Sequence, residues 1–167
     1  MILRLASLVA VLGGVTAAVA PSGSHGAALS TRSDFDRVLE SLAAAWSEQD
    51  TAAALVCFTD DAIYMQPPDQ QLYQGAAELR LLFDGLKPGT VMQFHSAAFD
   101  AESQAGFAEF SFGRHGSAPA VHGVVRVTLF GGRISSWREY FESGPASFEE
   151  FVAVDGKTWK WTAASLE

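Results

Sequence analysis

The chain has 167 residues, 49% of them hydrophobic and 18% charged, with eleven Lys and Arg against nineteen Asp and Glu for a net charge of −8. That length suits one ordinary domain, able to bury on the order of 65–70% of the surface its unfolded chain exposes. An acidic chain with no run of Lys or Arg offers no phosphate-binding stripe, which argues against nucleic acid and anionic lipid as partners. The single Cys57 excludes an intrachain disulfide and a cysteine-cluster metal site, and His25, His95, His115 and His122 have no zinc-protease spacing.

Residues 1–20 have the layout of a secretory signal peptide. Arg4 supplies a positive start, Leu5 to Ala20 carry no charge, and Ala18-Val19-Ala20 is a small-x-small cleavage signal. The apolar run is 16 residues and contains Gly13 and Gly14, short for a bilayer span of about 20 residues. Cleavage after Ala20 leaves ten basic against nineteen acidic residues, a net charge of −9. The expected location is secreted or periplasmic, with no membrane attachment after cleavage. Residues 21–32, rich in Ser, Gly and Ala, read as a flexible lead-in.

The first helix is expected from Asp34 to Ser47, capped by Ser33, with Phe35, Val38, Leu39, Leu42, Ala45 and Trp46 in one apolar stripe. Asp50 caps a second short helix running to Phe58. Thr59-Asp60-Asp61 reads as a turn, Ala62–Met65 as a short strand, and Ala76–Asp84 as a third helix ended by Gly85. From Thr90 the hydrophobic period becomes two, giving strands near 91–100, 105–113, 121–130 and 133–142. Helices followed by an antiparallel meander predict an α+β fold with helices on one sheet face. In the extension 146–167, Phe148, Phe151 and Val152 suggest a helical turn, and Trp159 and Trp161 suit either an edge strand or a cover for the barrel mouth.

The order of a helix with a central Trp, "EQDTAAALVCFTDDAIYMQPP", "YQGAAELRLLFDGL" and a meander ending "FGGRISSWREYFE" resembles the nuclear transport factor 2-like superfamily. That superfamily includes SnoaL-like polyketide cyclases, ketosteroid isomerase and limonene epoxide hydrolase. The resemblance implies a cone over residues 33–145, a curved antiparallel sheet wrapped around the N-terminal helices as in the cystatin-like α+β barrel. Tyr64-Met65-Gln66-Pro67 is similar to the Tyr-x-Asn before proline of limonene epoxide hydrolase, with Gln for Asn. Trp137-Arg138-Glu139-Tyr140-Phe141-Glu142 is similar to its Trp-Arg-Asp-Tyr-Phe-Asp. Counting fifteen residues on from Phe94 reaches Glu109 at the position of that family's middle-strand Asp. Two residues earlier stands Phe107, where those hydrolases have the Arg that bridges their two acids.

Strand parity puts Trp137, Glu139 and Phe141 on one face, Phe107, Glu109 and Ser111 on one face, and Val125, Val127 and Leu129 on one face. Aligning these gives an apolar pocket with two carboxylates, the makeup of a small-molecule site. Desolvation raises a carboxyl pKa, and two neighbouring carboxyls divide into an acid and a base. The resemblance then implies Glu139 as general base on a water held by Tyr64 and Gln66, with Glu109 as general acid. Without the water, the same pair serves an isomerase or cyclase. Trp137, Phe107, His95, Trp46, Val127 and Phe141 are the expected substrate-binding wall, with the two Trp there mainly for packing. Parity leaves His95 open between cone and outer face, and sends His122 outward. His115 is expected in solvent and Cys57 in the core. The expected ligand is a small apolar molecule, with no metal and no cofactor. A non-catalytic secreted ligand-binding or dimeric module of the same fold is the alternative. Phe110 and Phe112, opposite Glu109, would face outward, and the resemblance implies a homodimer through that outer sheet face.

Overall fold

A computed structural model describes residues 28–67, 70–117, 120–144 and 148–149. The expected leader 1–20, most of the expected lead-in 21–32 and nearly all of the extension 146–167 lie outside the described residues.

The first helix, α1 (Arg32–Glu48), starts ahead of its expected position because Thr31, not Ser33, is the cap. Thr31 Oγ1 accepts from the Asp34 backbone N–H at 3.2 Å, and Asp34 Oδ2 accepts from the Thr31 N–H at 2.8 Å. The reciprocal pair satisfies two backbone donors that a helix start leaves unpaired. Asp50 caps α2 (Thr51–Val56) as expected, through Ala53 N–H at 2.9 Å. The predicted turn at Thr59–Asp61 is instead part of strand β1 (Phe58–Gln66). A short strand the periodicity did not reveal, β2 (Gln71–Gln74), pairs back on β1 before α3 (Gly75–Asp84). The meander follows as β3 (Thr90–Asp100), β4 (Ala105–Arg114), β5 (Ala120–Phe130) and β6 (Arg133–Gly144).

The six strands form one sheet in the order β2-β1-β6-β5-β4-β3. Every pairing is antiparallel except β1 with β6, which is parallel and sets Tyr64 beside Trp137. Helix α1 lies against β3, and α3 against β1. Their apolar faces cover the concave side of the sheet, where Phe35 stacks on Phe99 at 4.8 Å and Trp46 meets Phe83 and Phe112 edge-on.

Register decides which side chains enter this concave core. Ala108, Val125 and Glu139 are opposite one another across three strands, as are Phe110, Gly123 and Phe141. Glu109, Val124 and Tyr140 form the matching row on the convex face. The expected parity of β4 is therefore reversed: Phe110 and Phe112 point inward, while Phe107, Glu109 and Ser111 point outward. A β-bulge in β3, between Phe94 and Ala97, keeps both of those residues inside and turns His95 and Ser96 outward.

Gly106 marks where α1 seats on the sheet. A Cβ there would come within 2.5 Å of Phe35 Cζ and 2.6 Å of the Ala98 carbonyl oxygen. Gly106→Ala is expected to lower unfolding free energy by about 1–3 kcal/mol in denaturant titration, because neither neighbour can retreat without moving the helix or the strand.

Candidate functional site

Among the described residues, one acid is buried in the concave core. Glu139 is only 4% exposed and sits among Val125, Trp137 and Phe141. Two donors converge on its Oε2: Tyr64 Oη donates at 2.7 Å and Trp137 Nε1 donates at 3.0 Å. The parallel β1–β6 pairing makes this possible, since it places the Tyr64 ring against the Trp137 ring, stacked at 5.8 Å with an interplanar angle of 12°. Among the described residues, Oε1 has no hydrogen-bond partner and Glu139 has no ion pair.

Burial is the dominant influence on this carboxyl and pushes its pKa up from the ordinary 4.5; the bonds from Trp137 and Tyr64 pull the other way. Burial also pushes the Tyr64 phenol well above its ordinary 10, and the Glu139 charge adds to that shift. Tyr64 thus stays protonated and donates throughout the range in which Glu139 titrates.

Glu139 opens onto a cavity of ≈ 320 Å³. Trp46, Met92, Phe110, Phe112 and Phe141 supply much of its apolar wall, with Leu82 and Leu86 from the end of α3 and the loop after it. Gln71 and Tyr73, on the unforeseen strand β2, supply polar groups at its edge. Trp46 is 3% exposed, and its Nε1–H is buried without an acceptor. Leaving such a donor unpaired costs about 1–3 kcal/mol.

Of the expected site residues, Glu139, Tyr64, Trp46 and Phe141 meet at this cavity, and Trp137 supports it from below. Gln66 shares the strand face of Tyr64 but pairs with Gln71 and lies outside the cavity wall. Val127 is fully buried beside Trp137, also outside the wall. Phe107 is 52% exposed on the convex face. Glu109 and His95 are on that face too, so the expected Glu109–Glu139 pair across one pocket does not form.

Glu109 and His95 belong instead to a polar chain on the convex side. His95 Nε2 lies 2.8 Å from Ser111 Oγ, Ser111 Oγ lies 3.1 Å from His122 Nδ1, and His122 Nε2 lies 3.0 Å from Glu109 Oε1. Ser96 Oγ donates to Glu109 Oε2 at 2.9 Å and is the chief reason the Glu109 pKa is lowered from 4.5, with His122 assisting. Burial lowers the His95 pKa from 6.5. Both carboxyls were visible in the sequence; only their opposite environments were not.

A family model of the SnoaL-like domain matches residues 38–137, from α1 to the Trp that supports Glu139. The chain belongs to the SnoaL-like domain family. A comparison with curated proteins finds no match. Among solved structures, a cystatin-fold protein of unknown function from Methylobium petroleophilum PM1 aligns with a TM-score of 0.63 at 18% identity, over 81% of this chain and 97% of that one. An LEH-like epoxide hydrolase from M. tuberculosis aligns with a TM-score of 0.56 at 18% identity, over 66% of this chain and 84% of that one. A putative ketosteroid isomerase from Kribbella flavida aligns with a TM-score of 0.58 at 11% identity, over 78% and 92%. These likenesses establish the nuclear transport factor 2-like, cystatin-like fold, which isomerases and epoxide hydrolases share.

In this SnoaL-like domain the raised Glu139 pKa links the site to stability. The folded state holds the Glu139 proton more tightly than the unfolded chain. The stabilisation is complete below the unfolded pKa and is lost as pH rises through the folded one, about 1.4 kcal/mol for each unit of difference. Tyr64→Phe removes a bond to the ionised form, so the folded pKa should rise further and the loss should extend to higher pH. Denaturant unfolding of wild type, Tyr64→Phe and Glu139→Gln across pH checks this: the decline attributable to Glu139 should reach to higher pH in the first variant and vanish in the second.

Proposed function

We propose that this protein is a small-molecule enzyme that moves a proton with Glu139 inside an apolar cavity, an isomerase or cyclase of the SnoaL-like type. The observation that carries the reading is the asymmetry of the Glu139 carboxyl. Oε2 is fixed by Tyr64 and Trp137, while Oε1 is unpaired and next to a cavity large enough for a ligand. A carboxyl with a desolvated, raised pKa is a stronger base once ionised than one in water, and it holds an abstracted proton long enough to return it. Positioned acid–base help of this kind is worth roughly 10²–10⁴-fold.

Epoxide hydrolysis with a Glu/Glu pair is the less supported chemistry. Glu139 is the one acid among the described residues lining the cavity, and the second carboxyl faces away on the convex surface. The supporting pattern of the first strand's Tyr and the last strand's Trp and acid remains, and it serves direct proton transfer without an added general acid.

Proton exchange at the acidic carbon of a bicyclic ketone such as 2-tetralone, followed by NMR in D₂O, tests the proposal. Wild type should accelerate exchange with a rate that rises with pH through the raised Glu139 pKa. Glu139→Gln, which keeps an oxygen for Tyr64 and Trp137, should lower the rate by roughly 10²-fold or more. Equal rates in both proteins would leave the non-catalytic binding module as the better reading.

We also propose export, supported by the leader-like residues 1–20, and a homodimer through the convex sheet face. That face carries Phe107, Val124 and Tyr140, 52%, 43% and 52% exposed. The row of Phe107, Arg126 and Arg138 lies beside the row of Glu109, Val124 and Tyr140, both charge signs that a two-fold interface needs. Tyr140→Glu should convert a dimer to a monomer in sedimentation velocity without changing the far-ultraviolet circular dichroism.

A further inference from the structure

Glu139 carries a charge that the described interior does not offset. Its Oε2 takes both bonds, from Tyr64 and Trp137, and both donors are neutral. Two described buried side-chain polar atoms lack a partner, Trp46 Nε1 and Thr59 Oγ1. Glu139 Oε1 also lacks one, yet it is not among the buried atoms, so this oxygen keeps accessible surface on a residue that is otherwise enclosed. The space it meets is the ≈ 320 Å³ cavity that Glu139 lines.

Three properties of this cavity suit a cation. Its wall has no Lys, Arg or His among the described residues, and none of the described ion pairs includes Glu139. A desolvated carboxylate is costly until an opposite charge meets it. The rings of Trp46, Tyr64, Tyr73, Phe110, Phe112 and Phe141 line the same space, and aromatic rings attract ammonium groups through their negative faces. The net charge of −8 draws cations toward the molecule and repels anions.

From an open carboxylate oxygen set in an aromatic, cation-free wall, we infer that the cavity binds a small organic ammonium ion, a protonated primary amine on an apolar ring, with its N–H groups on Glu139 Oε1. The volume lies at the small end of the range for ligand sites and suits one or two rings. The inference does not need proton transfer by Glu139, only its ionised carboxylate. It adds a second ligand class to the site. The ammonium occupies the oxygen that the proton-transfer reading uses as base, so the amine blocks that reaction rather than undergoing it. A neutral alcohol brings a donor without the charge, and a carboxylate ligand meets Glu139 with the same sign.

A bound cation favours the ionised carboxyl, against the burial that raises the Glu139 pKa from 4.5. The other titratable side chains on the cavity, among the described residues, are the Tyr64 and Tyr73 phenols, which are uncharged in acid. Amine affinity should therefore fall as pH drops through the Glu139 midpoint.

The test is calorimetric titration of full-length protein with 2-aminoindane, 2-indanol and indane-2-carboxylate near neutral pH. Wild type should bind the amine at least about tenfold tighter than the alcohol, and the carboxylate more weakly than either. Glu139→Gln should bring the amine to within about twofold of the alcohol while leaving alcohol binding nearly unchanged. A measurement on wild type alone stands beside the variant: the preference for amine over alcohol should shrink in acid. Equal binding of amine and alcohol by wild type, a preference kept by Glu139→Gln, a preference unchanged in acid, or no amine binding at millimolar concentration would overturn the inference. Exchange of 2-tetralone separates it from the proton-transfer reading. Exchange by a protein that binds no amine removes the ammonium site and leaves proton transfer standing. Amine binding without exchange removes proton transfer and keeps the ammonium site.

Discussion

The Tyr64–Glu139–Trp137 arrangement is the constraint around which this domain is organised. A carboxyl in an apolar core is tolerated only when its oxygens find donors, and two donors here share one oxygen. Trp137 stands two residues before Glu139 on the same face of β6. Tyr64 arrives from the first strand and reaches Glu139 only because β1 runs parallel to β6 in the middle of an otherwise antiparallel sheet. The stacked Tyr64 and Trp137 rings then fill the floor of the cone and exclude water from the paired side of the carboxyl. The other oxygen, Oε1, has no hydrogen-bond partner among the described residues.

The rest of the fold closes that side. Helix α1 carries Trp46 over the sheet, α3 supplies Leu82, and β2 brings Gln71 and Tyr73 to the rim. Gly106 lets Phe35 approach the sheet, and the bulge at His95–Ser96 keeps Phe94 and Ala97 pointing inward on either side of the irregularity. The convex face is chemically separate. Its carboxyl, Glu109, is hydrogen-bonded by Ser96 and His122 in reach of solvent and is held below the usual range, whereas Glu139 is pushed above it. The two acids, similar in sequence context, differ because one is solvated and partnered and the other is desolvated.

Much of this was legible in the sequence. The period-two meander, the apolar stripe of α1, the Asp50 cap and the glycines around α3 identified the helices and four of the strands, and Ala62–Met65 marked part of a fifth, β1. The Tyr64 and Trp137–Glu142 motifs identified the residues that meet at the centre. The errors have local causes. Strand β4 itself offered Ala108, Phe110 and Phe112 as its apolar face, which is the face the core takes. Placing Glu109 inside came from counting along from Phe94, and a count fails where a bulge adds a residue. Strand β2 is four residues long between turn residues, too short for a period to register, so Gln71 and Tyr73 were missed. Trp46 was seen as packing. Its unpaired N–H has no sequence signal, because an unsatisfied donor is a property of its surroundings.

The central claim is that Glu139 is desolvated, hydrogen-bonded on one oxygen and available as a base on the other. Its side-chain carboxyl ¹³C resonance, assigned through Glu139→Gln and followed through an acid titration of the native protein, tests this most directly. A midpoint above 4.5, with the Tyr64 and Trp137 bonds retained on both sides of the transition, is the predicted result. A midpoint at or below 4.5, the behaviour expected of a solvated or cation-paired carboxylate, would contradict it.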